Sequence, residues 1–361
     1  MLAPEARSFY EIARGELFLH TRGTATYDSN VFASEDAQDD VLFILNPELE
    51  YVRRAGRVDL SVSTGVRIGR FLDLTDEHFE NYYAAMSAGY PVSPGSRMGG
   101  GVSVEYSQDS TLSETLNERI TRERYTGSID TSYRINERVG LRNSLRYSRT
   151  DRTRFIRVER IEGRLGAVYF YSENLDFDLT YRLGRSTSPG TADRERRETI
   201  DQGVTVGATG DMTARVSGNA SVGFLTRHVV RGEGRGRVRL IFATGLDWAA
   251  RANTVVSLDG TRDVDLSPEG RTVEGTSVRL GVTQRLTPKM SGDVYTRYRL
   301  REFRGVETDR DHTYTAGAGL SYSFTRNWDG SLDYTYTHGD LERRDVVFDR
   351  HTVALSTRYT F

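Results

Sequence analysis

The stretch Val346–Phe361 reads VVFDRHTVALSTRYTF. From Val353 onward the alternate positions carry Val, Leu, Thr, Tyr and Phe, and the positions between them carry Ala, Ser, Arg and Thr. A β-strand directs successive side chains to opposite faces, so this stretch has one largely apolar face and one polar face. Lipid can cover the apolar face in a membrane barrel. A transmembrane strand is therefore the first interpretation, and an ordinary edge strand is the alternative.

The composition favours the barrel. The 361 residues are 37% hydrophobic with a mean hydropathy of −0.54, and no apolar run is long enough for a membrane-spanning helix. Disorder is excluded by the 20 Tyr and 15 Phe. The net charge of −2 and the lack of a basic domain argue against a nucleic-acid partner, and the absence of cysteine excludes disulfides and thiolate metal sites.

The same alternation recurs along the whole chain. In one example Val102, Val104 and Tyr106 alternate with Ser103 and Glu105. About 18 such segments fit, at roughly 20 residues per strand and connection. The sequence therefore predicts an all-β fold, a closed antiparallel up-and-down transmembrane β-barrel over residues 15–361 in the outer membrane of a Gram-negative bacterium.

The connections alternate between short turns, such as Thr287-Pro288-Lys289, and longer charged stretches, such as Gln108–Glu118 and Asp263–Gly270. Bacterial barrels keep their short turns in the periplasm. A lumen roughly 35 Å across follows from 18 strands. Because no connection exceeds about a dozen residues, the sequence predicts no plug domain and no effective constriction.

Residues 1–14 contain no apolar signal-peptide core. We therefore expect a signal peptide that was removed or lies upstream. The segment itself is predicted to be a short periplasmic stretch with a helical turn over Ser8–Ala13.

Aromatic residues collect at the ends of the apolar faces, where rings meet lipid head-groups in membrane barrels. Outer-membrane lipids are thus expected partners. The final Phe361 is similar to the terminal aromatic residue that the barrel assembly machinery recognises in bacterial outer-membrane barrels. The predicted girdle at the turn end consists of Tyr51, Tyr90, Tyr171, Trp248, Phe324, Tyr359 and Phe361.

The opposite, inward positions carry mixed charge. Arg297, Arg299 and Arg301 alternate on one face, which suggests a basic track for an anionic solute or polymer. The alternative is that acids pair with these residues and merely solvate the wall. The predicted pore-lining residues are Arg67, Arg142, Arg146, Arg237, Arg239, Arg279, Arg285, Arg297, Arg299, Arg301, Arg358, Glu48, Glu50, Glu105, Asp259, Asp293 and Asp333.

The string Tyr27-Asp28-Ser29-Asn30-Val31-Phe32, together with Phe361 and the repeated hairpins, resembles the family of putative beta-barrel porin 2. This resemblance implies a transport barrel associated with capsule or exopolysaccharide secretion and a periplasmic polysaccharide-export protein as partner.

The leading hypothesis is a wide outer-membrane channel for polysaccharide secretion. A diffusion porin for anionic or sugar solutes is the first alternative, and a barrel that serves as a scaffold for a lipoprotein or surface partner is the second. The six histidines show no metal-ligand spacing, and acids beside His78, His312 and His338 are common in charged loops. No enzyme activity, cofactor, catalytic residue or metal site is therefore predicted.

Overall fold

The computed structural model describes residues 10–12, 14–54, 57–90, 97–113, 118–153, 157–189, 196–231, 236–267, 272–304 and 309–361. The described part contains no helix that is long and apolar enough to cross a membrane. Two short 3-10 turns lie at Thr75–Glu77 and Glu342–Arg344. The strands are β1 (Tyr10–Ile12), β2 (Gly15–Asp28), β3 (Asp40–Arg53), β4 (Asp59–Phe71), β5 (Phe79–Tyr90), β6 (Met98–Ser113), β7 (Glu118–Arg134), β8 (Val139–Arg152), β9 (Val158–Phe170), β10 (Leu175–Ser188), β11 (Arg197–Thr213), β12 (Val216–Arg231), β13 (Arg237–Arg251), β14 (Thr254–Leu266), β15 (Thr272–Thr287), β16 (Met290–Arg304), β17 (Asp309–Ser323), β18 (Trp328–Leu341) and β19 (Val346–Thr360).

Strands β2 to β19 form one closed antiparallel barrel of 18 strands, in which each strand pairs with its neighbours in sequence. The barrel closes where β19 pairs with β2, with Leu355 opposite Ala25. This confirms the predicted fold class. The extra strand β1 pairs with the start of β2, with Tyr10 opposite Leu17. The helical turn expected over Ser8–Ala13 is therefore wrong for Tyr10–Ile12, because these residues bond to the barrel edge instead; Ser8, Phe9 and Ala13 lie outside the described residues.

The two faces of the sheet differ as the alternation predicts. One face carries large apolar side chains that stay exposed, such as Leu165 at 63% and Val206 at 54%. The other face carries contacts between strands far apart in the order, such as Arg182 on β10 with Asp263 on β14 at 3.0 Å. Such contacts can form only across the concave side of a barrel. The polar face is therefore the lumen, and the apolar face is the outer surface that meets lipid.

The strands run further into the charged connections than the sequence predicts. Pairing of β6 with β7 continues to Ser113 opposite Glu118, so most of the predicted loop Gln108–Glu118 is a hairpin. The short turns lie at the other end of the barrel, for example between Thr287 and Met290. In a hairpin the backbone N–H and C=O groups bond to each other whatever the charge of the side chains. Charged sequences that look like loops can therefore extend the strands.

The hairpin β14–β15 bends into the lumen at its loop end. Its two strands remain paired up to Leu266 opposite Thr272, but the ladder between β13 and β14 ends at Phe242 opposite Arg262. Beyond that point Val264 is 2% exposed and packs against Leu225 and Ile241, which belong to the inner wall. We call residues 263–267 and 272–275 the hairpin tip. The expectation that no connection narrows the lumen is wrong, although the described residues form no separate plug domain.

The string Tyr27–Phe32 lies at the seam of the barrel. Asp28 forms an ion pair with Arg350 of β19, and the Ser29 backbone N–H donates to the His351 carbonyl at 3.0 Å. The Asn30 amide donates to the Asp349 carbonyl at 3.2 Å and to the Ser34 carbonyl at 2.8 Å. These contacts join the first barrel strand to the last, so the string that carries the family resemblance has a structural role at the seam.

Gly218 allows the close approach of β12 to β13. Its φ is +140°, and a Cβ atom there would lie 2.0 Å from the Gly245 carbonyl oxygen. We expect Gly218→Ala to lower the free energy of unfolding by about 1–3 kcal/mol, because the added methyl group pushes β12 away from β13 and an alanine is strained at this positive φ. Denaturant unfolding in micelles, followed by tryptophan fluorescence, measures this loss. Gly163→Ala is the matched control, because nothing lies within 4 Å of its Cβ position. Equal losses in both variants would contradict the packing argument.

Candidate functional site

The inner face of the barrel is the candidate site, because it is the surface that a solute in the lumen would meet. The strand ladders place every predicted pore-lining residue on this face. Part of the predicted set is sorted along the barrel axis. Glu48, Glu50, Asp293 and Asp333 lie in the halves of their strands next to the turns. Most of the predicted arginines lie in the middle or loop-end halves: Arg67, Arg146, Arg237, Arg239, Arg279, Arg297, Arg299 and Arg301.

Arginines stand directly opposite one another at five places on the inner face. The pairs are Arg22/Arg358, Arg122/Arg152, Arg164/Arg182, Arg227/Arg237 and Arg279/Arg297. Directly opposed carboxylates are fewer within the described ladders of the inner face: Asp28 with Asp40, and Glu11 with Glu16 beside the extra strand β1. Like charges opposite each other in a sheet destabilise it. This excess of arginine pairs is a property of the register, which the sequence alone does not reveal.

The predicted triplet is paired with acids only in part. In the ladders of β16 with β15 and β17, Arg297 lies opposite Arg279 and Thr315, and Arg299 lies opposite Ser277 and Thr313. Arg301 lies opposite Asp311, with 3.4 Å between guanidinium and carboxylate. Of the triplet, Arg301 is therefore the member that lies directly opposite an acid, as the interpretation of simple wall solvation requires.

A buried ionic cluster holds the hairpin tip against the wall. Arg227 and Asp201 are each 1% exposed and form two hydrogen bonds of 2.6 and 2.7 Å. Arg227 also donates to the carbonyl oxygens of Val264 and Asp265 at 3.2 and 2.8 Å. The sequence analysis missed this cluster because its members lie on three different strands, β11, β12 and β14, and only the ladder register brings them together.

Three possible metal ligands meet near the turn end of the lumen. Oxygen and nitrogen atoms of His20, Glu48 and Glu50 lie within 4.8 Å of one another, because His20 is opposite Glu48 in the ladder of β2 with β3. His20 Nε2 is 3.1 Å from Glu50, and its Nδ1 is 2.9 Å from Thr360 Oγ1. The spacing of histidines in the sequence could not reveal this group, since two neighbouring strands supply its members.

The predicted aromatic girdle lies on the outer face. Phe324 stacks on Trp328 at 4.4 Å, Tyr359 contacts Phe361 at 4.6 Å, and Tyr171 contacts Phe177 at 5.9 Å between ring centroids. Tyr51, Tyr90 and Trp248 share that face. At the loop end the outer face carries a tyrosine–histidine cluster that sequence analysis did not single out. In it Tyr298 is hydrogen-bonded to His312 at 2.9 Å and Tyr334 to His351 at 2.9 Å.

A closed barrel of 18 strands with an apolar outer band and a charged lumen is an outer-membrane β-barrel of the porin type. Residues 189–361 match the model of the family described as Putative beta-barrel porin 2, which is the family that the sequence resembles. The match confirms the resemblance over the C-terminal part of the chain. It does not include the string Tyr27–Phe32, on which the resemblance partly depends.

Solved structures of similar fold include OpdO of Pseudomonas aeruginosa, with 14% identity, a TM-score of 0.53 and coverage of 96% of this chain and 97% of that one. The outer membrane channel DcaP of Acinetobacter baumannii has 12% identity, a TM-score of 0.50 and coverage of 99% and 100%. The FrpB iron transporter of Neisseria meningitidis has 8% identity and a TM-score of 0.53; 91% of this chain is covered, and it spans 63% of FrpB. No curated protein matches the sequence.

Proposed function

We propose that this protein is an outer-membrane channel that prefers anions. The observation that carries the proposal is the directly opposed pair of Arg279 and Arg297 on the inner face. Arg279 has a carboxylate of Asp259 at 3.9 Å and stacks on Tyr295 at 4.4 Å, while Arg297 forms no ion pair with any described residue. Like charges opposite each other destabilise a sheet, and an anion between Arg279 and Arg297 would compensate their charge. A charge-lined pore selects ions by sign.

Reversal potentials in planar lipid bilayers test this proposal. In a KCl gradient we expect the wild-type channel to pass chloride more readily than potassium. The triple variant Arg297→Ser, Arg299→Ser, Arg301→Ser should lose most of that preference, since three inward charges are removed. Arg149→Ser is the control, because Arg149 lies on the outer face with Asp151 at 2.7 Å. An unchanged reversal potential in the triple variant would contradict the proposal and show that these arginines only solvate the wall of the barrel.

A second candidate is secretion of an acidic polysaccharide together with a periplasmic export protein. The match of residues 189–361 to the porin family favours it, through the association with secretion that the resemblance implies. The arginine pairs suit an acidic polymer as well as a small anion. Deletion of the gene separates the two candidates. Loss of surface polysaccharide with unchanged solute uptake would support secretion, whereas reduced uptake of small anions with normal polysaccharide would support a diffusion porin.

A further inference from the structure

The hairpin tip forms one side of an open cavity inside the lumen. Strands β7 to β10 line one side and strands β14 to β16 the other, around a volume of about 670 Å³. Cavities of this size take ligands of small-molecule dimensions. Eight arginines and three carboxylates line it, an excess of five positive charges. The remaining lining is mostly Ser and Thr, with four apolar side chains.

The three carboxylates are already engaged with part of the arginines. Glu162 contacts Arg160 at 2.7 Å, Arg164 at 2.8 Å and Arg182 at 3.0 Å. Asp263 binds the other side of the Arg182 guanidinium, and Asp265 is 3.6 Å from Arg160 and mostly exposed. The acids of the cavity thus neutralise the arginines of β9 and β10.

Two arginines on the neighbouring strands have no such partner. Arg124 on β7 and Arg146 on β8 line the cavity and form no ion pair with any described residue. Arg146 lies directly opposite Glu162 in the ladder, but the contacts of Glu162 go to three other arginines. Their guanidinium groups are therefore available to a ligand, with Arg299 lining the opposite side.

We propose that this cavity binds an acidic saccharide that carries two or more carboxylate or sulfate groups. Guanidinium groups bind such anions through charge-assisted, bidentate hydrogen bonds. The hydroxyl groups of Ser148, Thr150 and Ser277 match the hydroxyls of a sugar. The inference rests on the proposed anion channel and adds the substrate class. The ligand is either a free oligosaccharide or a segment of a polymer, and both present the same chemistry to the cavity.

Single-channel currents in planar bilayers test the site, with trigalacturonate as the anionic probe and maltotriose as the neutral one. We expect trigalacturonate to block the wild-type current and maltotriose to leave it unchanged. The double variant Arg124→Ser, Arg146→Ser should raise the half-blocking concentration at least about tenfold, because two charged hydrogen-bonding groups are lost. The double variant Arg149→Ser, Arg185→Ser is the matched control. Both of its positions lie on the outer face and pair with Asp151 and Glu198.

The wild-type protein supplies a second measurement that needs no variant. Raising KCl from 0.1 M to 1 M shortens the screening length from about 10 Å to about 3 Å, so block by trigalacturonate should weaken strongly. Three results would each contradict the proposed site: block by trigalacturonate that does not depend on salt, equally strong block by maltotriose, or block of the double variant at the same concentration as the wild type. If anion preference persists without block, this inference fails alone; if anion preference is absent, the proposed function fails with it. Block by polygalacturonate but not by trigalacturonate would identify a polymer segment as the ligand.

Discussion

Val206→Arg should lower the free energy of unfolding in phospholipid vesicles by about 2–4 kcal/mol, the range for an arginine at the lipid-facing midplane of a membrane barrel. Val206 lies at the middle of β11, is 54% exposed and points to the outer face. In lipid its side chain contacts acyl chains, so a guanidinium there loses its water. Denaturant titration, followed by tryptophan fluorescence, measures the loss.

Thr205→Arg is the matched control, because it is the adjacent residue on the opposite face. Thr205 lies between Thr180 and Gly223 in the ladders of the inner wall, where an arginine reaches the aqueous lumen. We expect this variant to change the free energy of unfolding by less than about 1 kcal/mol, in the range of surface substitutions. If both variants lost the same stability, the assignment of the apolar face to lipid would be wrong.

Asp201→Ala should lower the free energy of unfolding by about 3–5 kcal/mol, because it leaves a buried charge without its partner. Asp201 and Arg227 are each 1% exposed, so no water can replace the carboxylate without a rearrangement of the wall. The same arginine holds the hairpin tip through two carbonyl oxygens. Heat-induced unfolding, scored by the shift in gel migration, and denaturant titration both measure the change.

The control for this variant is Glu80→Ala. The pair of Arg70 with Glu80 has a short contact of 2.5 Å, but both side chains are more than 40% exposed. An exposed ion pair contributes about 0–1 kcal/mol, so we expect little change. Similar losses in the two variants would show that burial of Asp201 does not determine its contribution.

The sequence predicts the faces of this barrel well because the period of two is a local property. Val102 and Glu105, for example, are assigned to opposite faces from their neighbours alone, and the ladders agree. The ends of the strands are predicted less well. The sequence of Asp263–Gly270 is charged like a loop, yet Asp263 and Asp265 belong to a paired strand that bends inward.

What the sequence could not predict depends on register between strands. Arg279 and Arg297 become opposite neighbours only because the hairpin of β15 and β16 turns at Thr287 and Met290. The cluster of Asp201, Arg227 and the hairpin tip requires the relative positions of β11, β12 and β14. Irregularities such as the register shift between Glu198 and Thr199 change those positions by a residue and leave no clear sequence signal.

The seam between β2 and β19 has a consequence for biogenesis. Asp28 and Arg350 are 322 residues apart, so the contact between them closes nearly the whole chain into a ring. Bringing together two residues so far apart in the chain has a large entropic cost, so we expect the seam to form last during folding. A cylinder of fixed strand number can still close with different strand offsets, each with its own shear number and width. The contacts of Asp28, Ser29 and Asn30 with β19 are specific to the observed offset, so this short string helps to fix the width of the finished pore.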